Sequence, residues 1–507
     1  MLVFAPVLLL GLSGSVIARS VAGPVAHTSN GDIVGHSSPV HPEVTEYLGI
    51  PYAAPPVGEL RFEPPQAYHG RPRYVASRYG FDCPYIAMST INYPHKTPQF
   101  NRIMNAFTSM NNNNSHSEDC LTLNVWNKYG RASTLKPVLV HFHGGRWTSG
   151  TTNTPYYDGA NLASTEDIIV VTATYRMNVF GFPGIPGKQS NLGLLDQRKA
   201  VEWVRDNIKA FGGDPDRITM SGQSCGSAAA DYWAYSYRND PIVAGFISHS
   251  GTAESFPANS PELSAQHWKE LTSLLGCNSG DILRCMKKQN MTSLLNASGK
   301  IKPPASSSAA RTPPAFQPTV DNVTVLSDYQ PLARAGKFAR IPYLAGHNHN
   351  EAGFYMVSAW AKGSSLPESE WQAFNKETFT CPTDDAVMAR IRAGVPAWRF
   401  RYFADWDNTR LHPTSGAYHG VELNMIFGDS KAMTHIPESA PQLQLQKKMQ
   451  QAWAAFVLDP RHGLEKLGWP QFSLNESTLI SLGENNTPDV KFTHPSAYNA
   501  ECWNTTA

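Results

Sequence analysis

The chain has 507 residues, 41% hydrophobic and only 16% charged, with 42 Lys and Arg against 41 Asp and Glu for a net charge of +1. That is a globular composition, long enough for two or three average domains or one large α/β domain. With no polybasic tract and no acidic tail, it argues against nucleic acid and anionic membranes as partners.

At the N-terminus, Leu2 to Leu12 form a short apolar core and small residues follow up to Ala18 or Ala22. This predicts a secretory signal peptide over 1–22, although no Lys or Arg stands near its start. Pro6, Gly11 and Gly14 spoil a membrane-spanning helix, no later run reaches spanning length, and the end of the chain has no hydrophobic tail, so no stable membrane anchor is expected. Sequons at Asn113, Asn290, Asn296, Asn322, Asn475, Asn485 and Asn504 fit a secreted glycoprotein. Seven cysteines in an oxidising compartment would pair except for one, and Cys225, beside a candidate nucleophile, is the expected free one. Cys277 and Cys285 are close enough to clamp a small loop, Cys83 and Cys120 would enclose a larger one, and Cys381 with Cys502 is a further possible pair. No His/Cys spacing suggests a zinc site.

Along the chain, Pro137 to His143 reads as a buried strand running into a Gly-rich loop, and Asp167 to Tyr175 as a second apolar strand. Val201, Val204 and Ile208 recur at helical spacing between Leu195 and Ala210, and Gly212-Gly213 with Pro215 stop that helix. Arg217-Ile218-Thr219-Met220 is a strand leading into Ser221-Gly222-Gln223-Ser224-Cys225-Gly226, and an Ala-rich helix start follows. This is G-x-S-x-G in strand–turn–helix context, the pattern of a serine held on a strained turn. Ala244 to Ser248 and Ile341 to Ala345 are further strands, and the Pro/Ser/Ala-rich segment 300–318 is expected to be a surface loop. Apolar strands alternating with amphipathic helices predict a parallel sheet covered on both faces.

A serine hydroxyl needs a base, and the base an orienting partner. His143-Gly144-Gly145-Arg146-Trp147 can point amides at an oxyanion together with the N–H of Cys225. Gly346-His347-Asn348-His349-Asn350-Glu351 places a carboxylate after a strand; a metal site from His347, His349 and Glu351 is the competing reading. Gly416-Ala417-Tyr418-His419-Gly420 offers a histidine in a Gly-flanked loop, and the order Ser, Glu, His fits an α/β-hydrolase, although later histidines satisfy it too.

These segments, together with Gly49-Ile50-Pro51-Tyr52-Ala53-Ala54-Pro55-Pro56, Glu118-Asp119-Cys120-Leu121-Thr122-Leu123-Asn124-Val125, Asn191-Leu192-Gly193-Leu194-Leu195-Asp196-Gln197 and Phe211-Gly212-Gly213-Asp214-Pro215, make the chain resemble the type-B carboxylesterase/lipase family, which includes cholinesterases, and above all its secreted fungal members. The resemblance runs from about Gly31 to Phe472. It implies an α/β-hydrolase fold, with a large, mostly parallel central sheet and helices on both faces, as a single domain over 23–507. It implies Ser224 as nucleophile, His419 as general base and acid, Glu351 as orienting carboxylate, and the amides of Gly145, Arg146 and Cys225 as oxyanion hole. It also implies disulfides Cys83–Cys120 and Cys277–Cys285, a structural ion pair Arg61–Glu118, Ser250 near the catalytic acid, and Glu422 outside the triad.

The expected activity is that of a secreted serine carboxylic-ester hydrolase, carboxylesterase or lipase-like, acting on a small-molecule or lipid ester with no cofactor and no metal. An acyltransferase or lactone-forming enzyme would carry the same triad, whereas a non-catalytic binding relative would lack the serine. Three departures stand out. Arg146 replaces the third glycine of the oxyanion loop, so its cation is expected at the edge of the pocket. Cys225 replaces the usual alanine and is expected to crowd the acyl group. Only 67 residues separate Glu351 from His419. Residues 84–119 contain no Trp, and Gln223 replaces the acidic residue before the nucleophile, which argues against choline esters. The apolar residues of 84–119 (Ile86, Met88, Ile91, Phe100, Ile103, Met104, Phe107, Met110) read equally as a lid or as local packing.

Overall fold

The computed structural model of the protein describes residues 23–70, 72–87, 90–108, 115–129, 134–303 and 312–505. The expected signal peptide and the sequon at Asn113 lie outside the described residues. β1 (Val25–Thr28), β2 (Gly31–Val34) and β5 (Arg73–Val75) form a small sheet. Eleven strands form the large one: β3 (His36–Ser37), β4 (Val44–Pro51), β6 (Thr122–Lys128), β7 (Lys136–Phe142), β8 (Ile169–Ala173), β9 (Gly213–Gln223), β10 (Gly245–His249), β11 (Tyr343–Asn348), β12 (Ala397–Tyr402), β13 (Leu479–Leu482) and β14 (Val490–Thr493). Their spatial order is β14-β13-β12-β11-β10-β9-β7-β8-β6-β4-β3.

The sheet is mixed, where the sequence predicts a mostly parallel one. Neighbours from β8 across to β13 run parallel, while β3, β4, β6 and β8 pair antiparallel at one edge and β13 with β14 at the other. Parallel neighbours need a crossover, usually helical. Such helices lie between successive strands from β7 to β13, for example Leu192–Asn207, Cys225–Ser236, Cys381–Arg392 and Ala440–Leu458. A short connection joins β13 to β14, so that pair can only be antiparallel.

Side chains alternate across a strand, and here the alternation divides the interior into two cores. Val138, Val140 and Phe142 of β7 face one core with Ala228, Val201 and Val387. Leu139 faces the other with Met449, Trp453 and Phe456 of the helix Ala440–Leu458. Helices therefore cover both faces. The predicted Leu195–Ala210 helix spans Leu192–Asn207, tightens into a 3₁₀ turn over Ile208–Phe211 and stops at Gly212, whose φ of +84° suits a residue without Cβ.

Disulfides join Cys83 to Cys120, Cys277 to Cys285 and Cys381 to Cys502. Arg61 donates through Nε to Glu118 Oε2 at 2.7 Å, through Nη2 to Glu118 Oε1, and through Nη1 to the carbonyl of Gln289 at 2.6 Å. This buried pair ties the first disulfide loop to the chain beside the second. No described helix is long and apolar enough to cross a membrane.

Candidate active site

The chain leaves β7 for β8 on one side and takes up β9 on the other, so the ends of β7 and β9 flank a point where the strand order reverses, the usual place for a ligand in such sheets. Ser224 follows β9 immediately, with φ 57° and ψ −123°. Its N–H donates to the carbonyl of His249 at 2.8 Å and its carbonyl accepts from Ala228 N–H at 2.9 Å, which hold the serine on the turn. A Cβ on Gly222 would lie 2.7 Å from Ser227 N, and one on Gly226 would lie 2.7 Å from the His143 carbonyl. Both positions therefore demand glycine for close backbone approach.

His419 sits in a turn, buried, with Nδ1 hydrogen-bonded to Glu351 Oε2 at 2.5 Å. The other oxygen of Glu351 accepts from Ser250 Oγ at 2.7 Å and from the N–H of Asn348 at 2.6 Å. Around the opposite nitrogen of the ring, Gln223 Nε2 donates at 3.0 Å and the Tyr355 hydroxyl lies at 3.4 Å. Nε2 of His419 is thus an acceptor, and the ring proton belongs on Nδ1, against Glu351. Burial pushes the Tyr355 phenol well up, so it stays protonated.

The loop after β7 turns sharply, with φ +113° at Gly145, 56° at Arg146 and 63° at Trp147. Left-handed backbone at a non-glycine costs about 1–2 kcal/mol, so the arginine in place of glycine is carried at some strain. A Cβ on Gly144 would lie 2.9 Å from Ser224 Cβ, so this loop passes directly over the elbow. His143 stacks on Tyr175 with ring centroids 4.6 Å apart, and complete burial depresses its imidazole to about 4, keeping it neutral.

Cys225 departs from expectation: it is not among the described residues that line the cleft. Sγ accepts from Trp147 N–H at 3.3 Å and lies 3.8 Å from the Tyr175 hydroxyl, beneath the loop that follows β7. It is the one free cysteine, and burial pushes the thiol up to about 11. At pH 8 only about one molecule in 10³ would carry the thiolate. Iodoacetamide should leave the folded protein unlabelled at pH 8 and modify one thiol per chain in guanidinium. Rapid labelling of the folded protein at pH 8 would contradict this placement.

Ser224, His419, Gln223, Gly145 and Arg146 line one cleft of about 490 Å³. Its walls are mostly apolar: Ile86, Phe107, Leu295, Ile301, Phe316 and Phe354 among them. Two expectations change here. From the 300–318 segment expected as surface loop, Ile301, Pro303 and residues 312–316 form a wall of the cleft, with Ile301, Ala315 and Phe316 buried. Of the 84–119 segment, Ile91, Phe100, Ile103 and Met104 are core, and Ile86 and Phe107 face the cleft. His347 and His349 do not join Glu351 in a cluster. His347 Nδ1 bonds the Asn348 carbonyl at 2.8 Å, and His349 packs on Phe403 at 4.7 Å between ring centroids. Among the described residues no group of three His, Cys, Asp or Glu is arranged to hold a metal.

A second buried pair lies behind the first. His249 Nδ1 faces Glu422 Oε1 at 3.2 Å, and Trp453 Nε1 donates to His249 Nε2 at 3.0 Å. Asn348 links both carboxylates: its N–H bonds Glu351 and its side-chain amide donates to Glu422 Oε2 and, at 2.7 Å, to the Tyr418 carbonyl.

The carboxylesterase family model matches residues 22–377 and 362–502. The chain belongs to the carboxylesterase family. It is 32% identical to a secreted lipase 5 of Gibberella zeae over 96% of this chain and 95% of that one. It is 33% identical to a chlorogenic acid esterase of Aspergillus niger over 91% of each, and 30% identical to a mouse cholinesterase over 88% of this chain and 71% of the mouse protein. Family membership implies the α/β-hydrolase fold, which the mixed sheet with helices on both faces fits. As a carboxylesterase family member, the protein is a carboxylic ester hydrolase acting on small-molecule esters.

Proposed function

We propose that the protein is a secreted serine ester hydrolase that works through an acyl-enzyme on Ser224. The observation that carries this reading is the His419–Glu351 hydrogen bond, which leaves Nε2 facing the elbow. As an ester seats, the Ser224 hydroxyl replaces the Gln223 amide at that nitrogen. Oγ attacks the carbonyl carbon while Nε2 takes its proton. The amides of Gly145, Arg146 and Cys225 donate to the oxyanion, and Glu351 stabilises the imidazolium. His419 then protonates the leaving alcohol, the ester C–O bond breaks, and water repeats the cycle to free the acid.

Export is supported by the apolar N-terminus, by three disulfides and by the exposure of Asn290, Asn296, Asn322, Asn475 and Asn485. The names of the fungal relatives, a secreted lipase and a chlorogenic acid esterase, support both export and ester hydrolysis. The buried positions of Phe100, Ile103 and Met104 favour a fixed wall over a mobile lid for the helix Phe100–Thr108 within 84–119. The test is covalent labelling with a fluorophosphonate, followed by peptide mapping, alongside hydrolysis of p-nitrophenyl esters from acetyl to palmitoyl. One label on Ser224 and measurable turnover are expected. Label on another serine, or none on folded protein, would sink the reading.

A further inference from the structure

We propose that the cleft is built for esters that carry a carboxylate or similar anion, held by Arg146 and Lys362. This rests on the ester-hydrolase reading above and names the class of ester.

The charge pattern of the cleft is one-sided. Apart from the His419 ring, its charged described lining residues are Arg146 and Lys362, and none is Asp or Glu. Glu351 points away from the cleft, its oxygens taken by His419, Ser250 and Asn348.

The fold puts both cations there for independent reasons. Arg146 stands on the oxyanion loop itself, and its Nη2 donates to the Thr312 carbonyl, so the guanidinium lies between that loop and the 312–316 wall. Lys362 ends the helix Ala352–Ala361. Helical spacing from Glu351 brings Phe354, Tyr355, Ser358 and Lys362 to one face, and all four line the cleft. Among the described residues neither cation has a carboxylate partner, and a backbone carbonyl satisfies hydrogen bonding at Arg146 without neutralising it. Arg146 also repels Lys362: partial desolvation and the Arg146 charge depress the ammonium of this otherwise exposed lysine. An anion between them removes that repulsion, whereas a cationic ester would add to it. The apolar walls take the remainder of the substrate.

The anion could belong to the acyl or to the alcohol part, and two matched pairs separate these sources. Monophenyl adipate against phenyl hexanoate places the carboxylate on the acyl side. 4-Carboxyphenyl against 4-carbamoylphenyl hexanoate places it on the alcohol side. The readout is the ratio of kcat/KM, anionic over neutral, at pH 7.5 and low salt, on the full-length protein. At least one pair should give a ratio above one. Lys362→Gln and Arg146→Gln should each lower that ratio at least about threefold, Lys362→Arg should retain it, and 0.5 M NaCl should compress it. Ratios at or below one in both pairs, or a ratio indifferent to Lys362→Gln, would overturn the inference while leaving ester hydrolysis intact. Failure of the parent reading has a different signature, the absence of Ser224-dependent turnover of the neutral esters, and would overturn both.

Discussion

Ser224→Ala should lower kcat for a short p-nitrophenyl ester by about 10⁴–10⁶ with KM little changed, because in the proposed mechanism its hydroxyl forms the acyl bond. Glu351→Gln should cost about 10³–10⁴ by a different route. Ser250 Oγ and the Asn348 N–H would still hold the amide oxygen in place. The amide nitrogen would then face His419 Nδ1 with a proton of its own, driving the ring proton to Nε2, where a base must have none. The two substitutions act on one unit, so the double variant should be no slower than Ser224→Ala alone. Steady-state kinetics on the three variants, with thermal unfolding as a check of folding, decides the matter. A Ser224→Ala protein keeping more than a few per cent of activity would remove the serine from the chemistry.

Gly226→Ala should destabilise the protein by about 3 kcal/mol or more, or prevent its accumulation. The new methyl would be driven into the Phe142 and His143 carbonyls at the end of β7, which are backbone of a strand inside the sheet and cannot turn aside. Relief requires the helix Cys225–Ser236 to move outward, and Ser224 with it. Gly187→Ala offers the contrast: its φ is +72° but nothing lies within 4 Å of an added Cβ, so only the backbone cost of about 1–2 kcal/mol applies. Urea unfolding midpoints of the two variants, compared with the parent, test the difference. A Gly226→Ala protein as stable as the parent would mean that the helix does not approach the strand so closely.

Much of this site was legible because its chemistry is written in short, local segments. G-x-S-x-G, the Gly-rich stretch after β7, and the segments around Glu351 and His419 each name a residue type and a backbone need. The hydrogen bond between His419 and Glu351 joins two of them. What escaped the sequence depends on pairings between distant residues. Nothing local in Gln223 says that its amide meets His419, and nothing in Glu422 says that it meets His249 and Asn348. The inward course of residues 312–316 was hidden because their Pro-rich composition signals a loop without saying what the loop covers. The antiparallel edges escaped for a related reason: strand direction is set by the connections, and the strands with the strongest apolar signal are all central. The turn of Cys225 away from the cleft follows from the backbone of Trp147 offering it an N–H.

Asn348 closes β11, paired in parallel with Tyr402 of β12, and its main chain and side chain reach different carboxylates. Successive residues of a strand point to opposite faces, so a slip of one position would send its amide to the wrong side and withdraw its N–H from Glu351. Strand register in the middle of the sheet is thereby converted into the position of a carboxylate, and that in turn into the direction in which an imidazole faces. A sheet assembled one residue out of step would look nearly native in backbone content and yet be catalytically silent. The enzyme's own turnover therefore reports on the correctness of its folding.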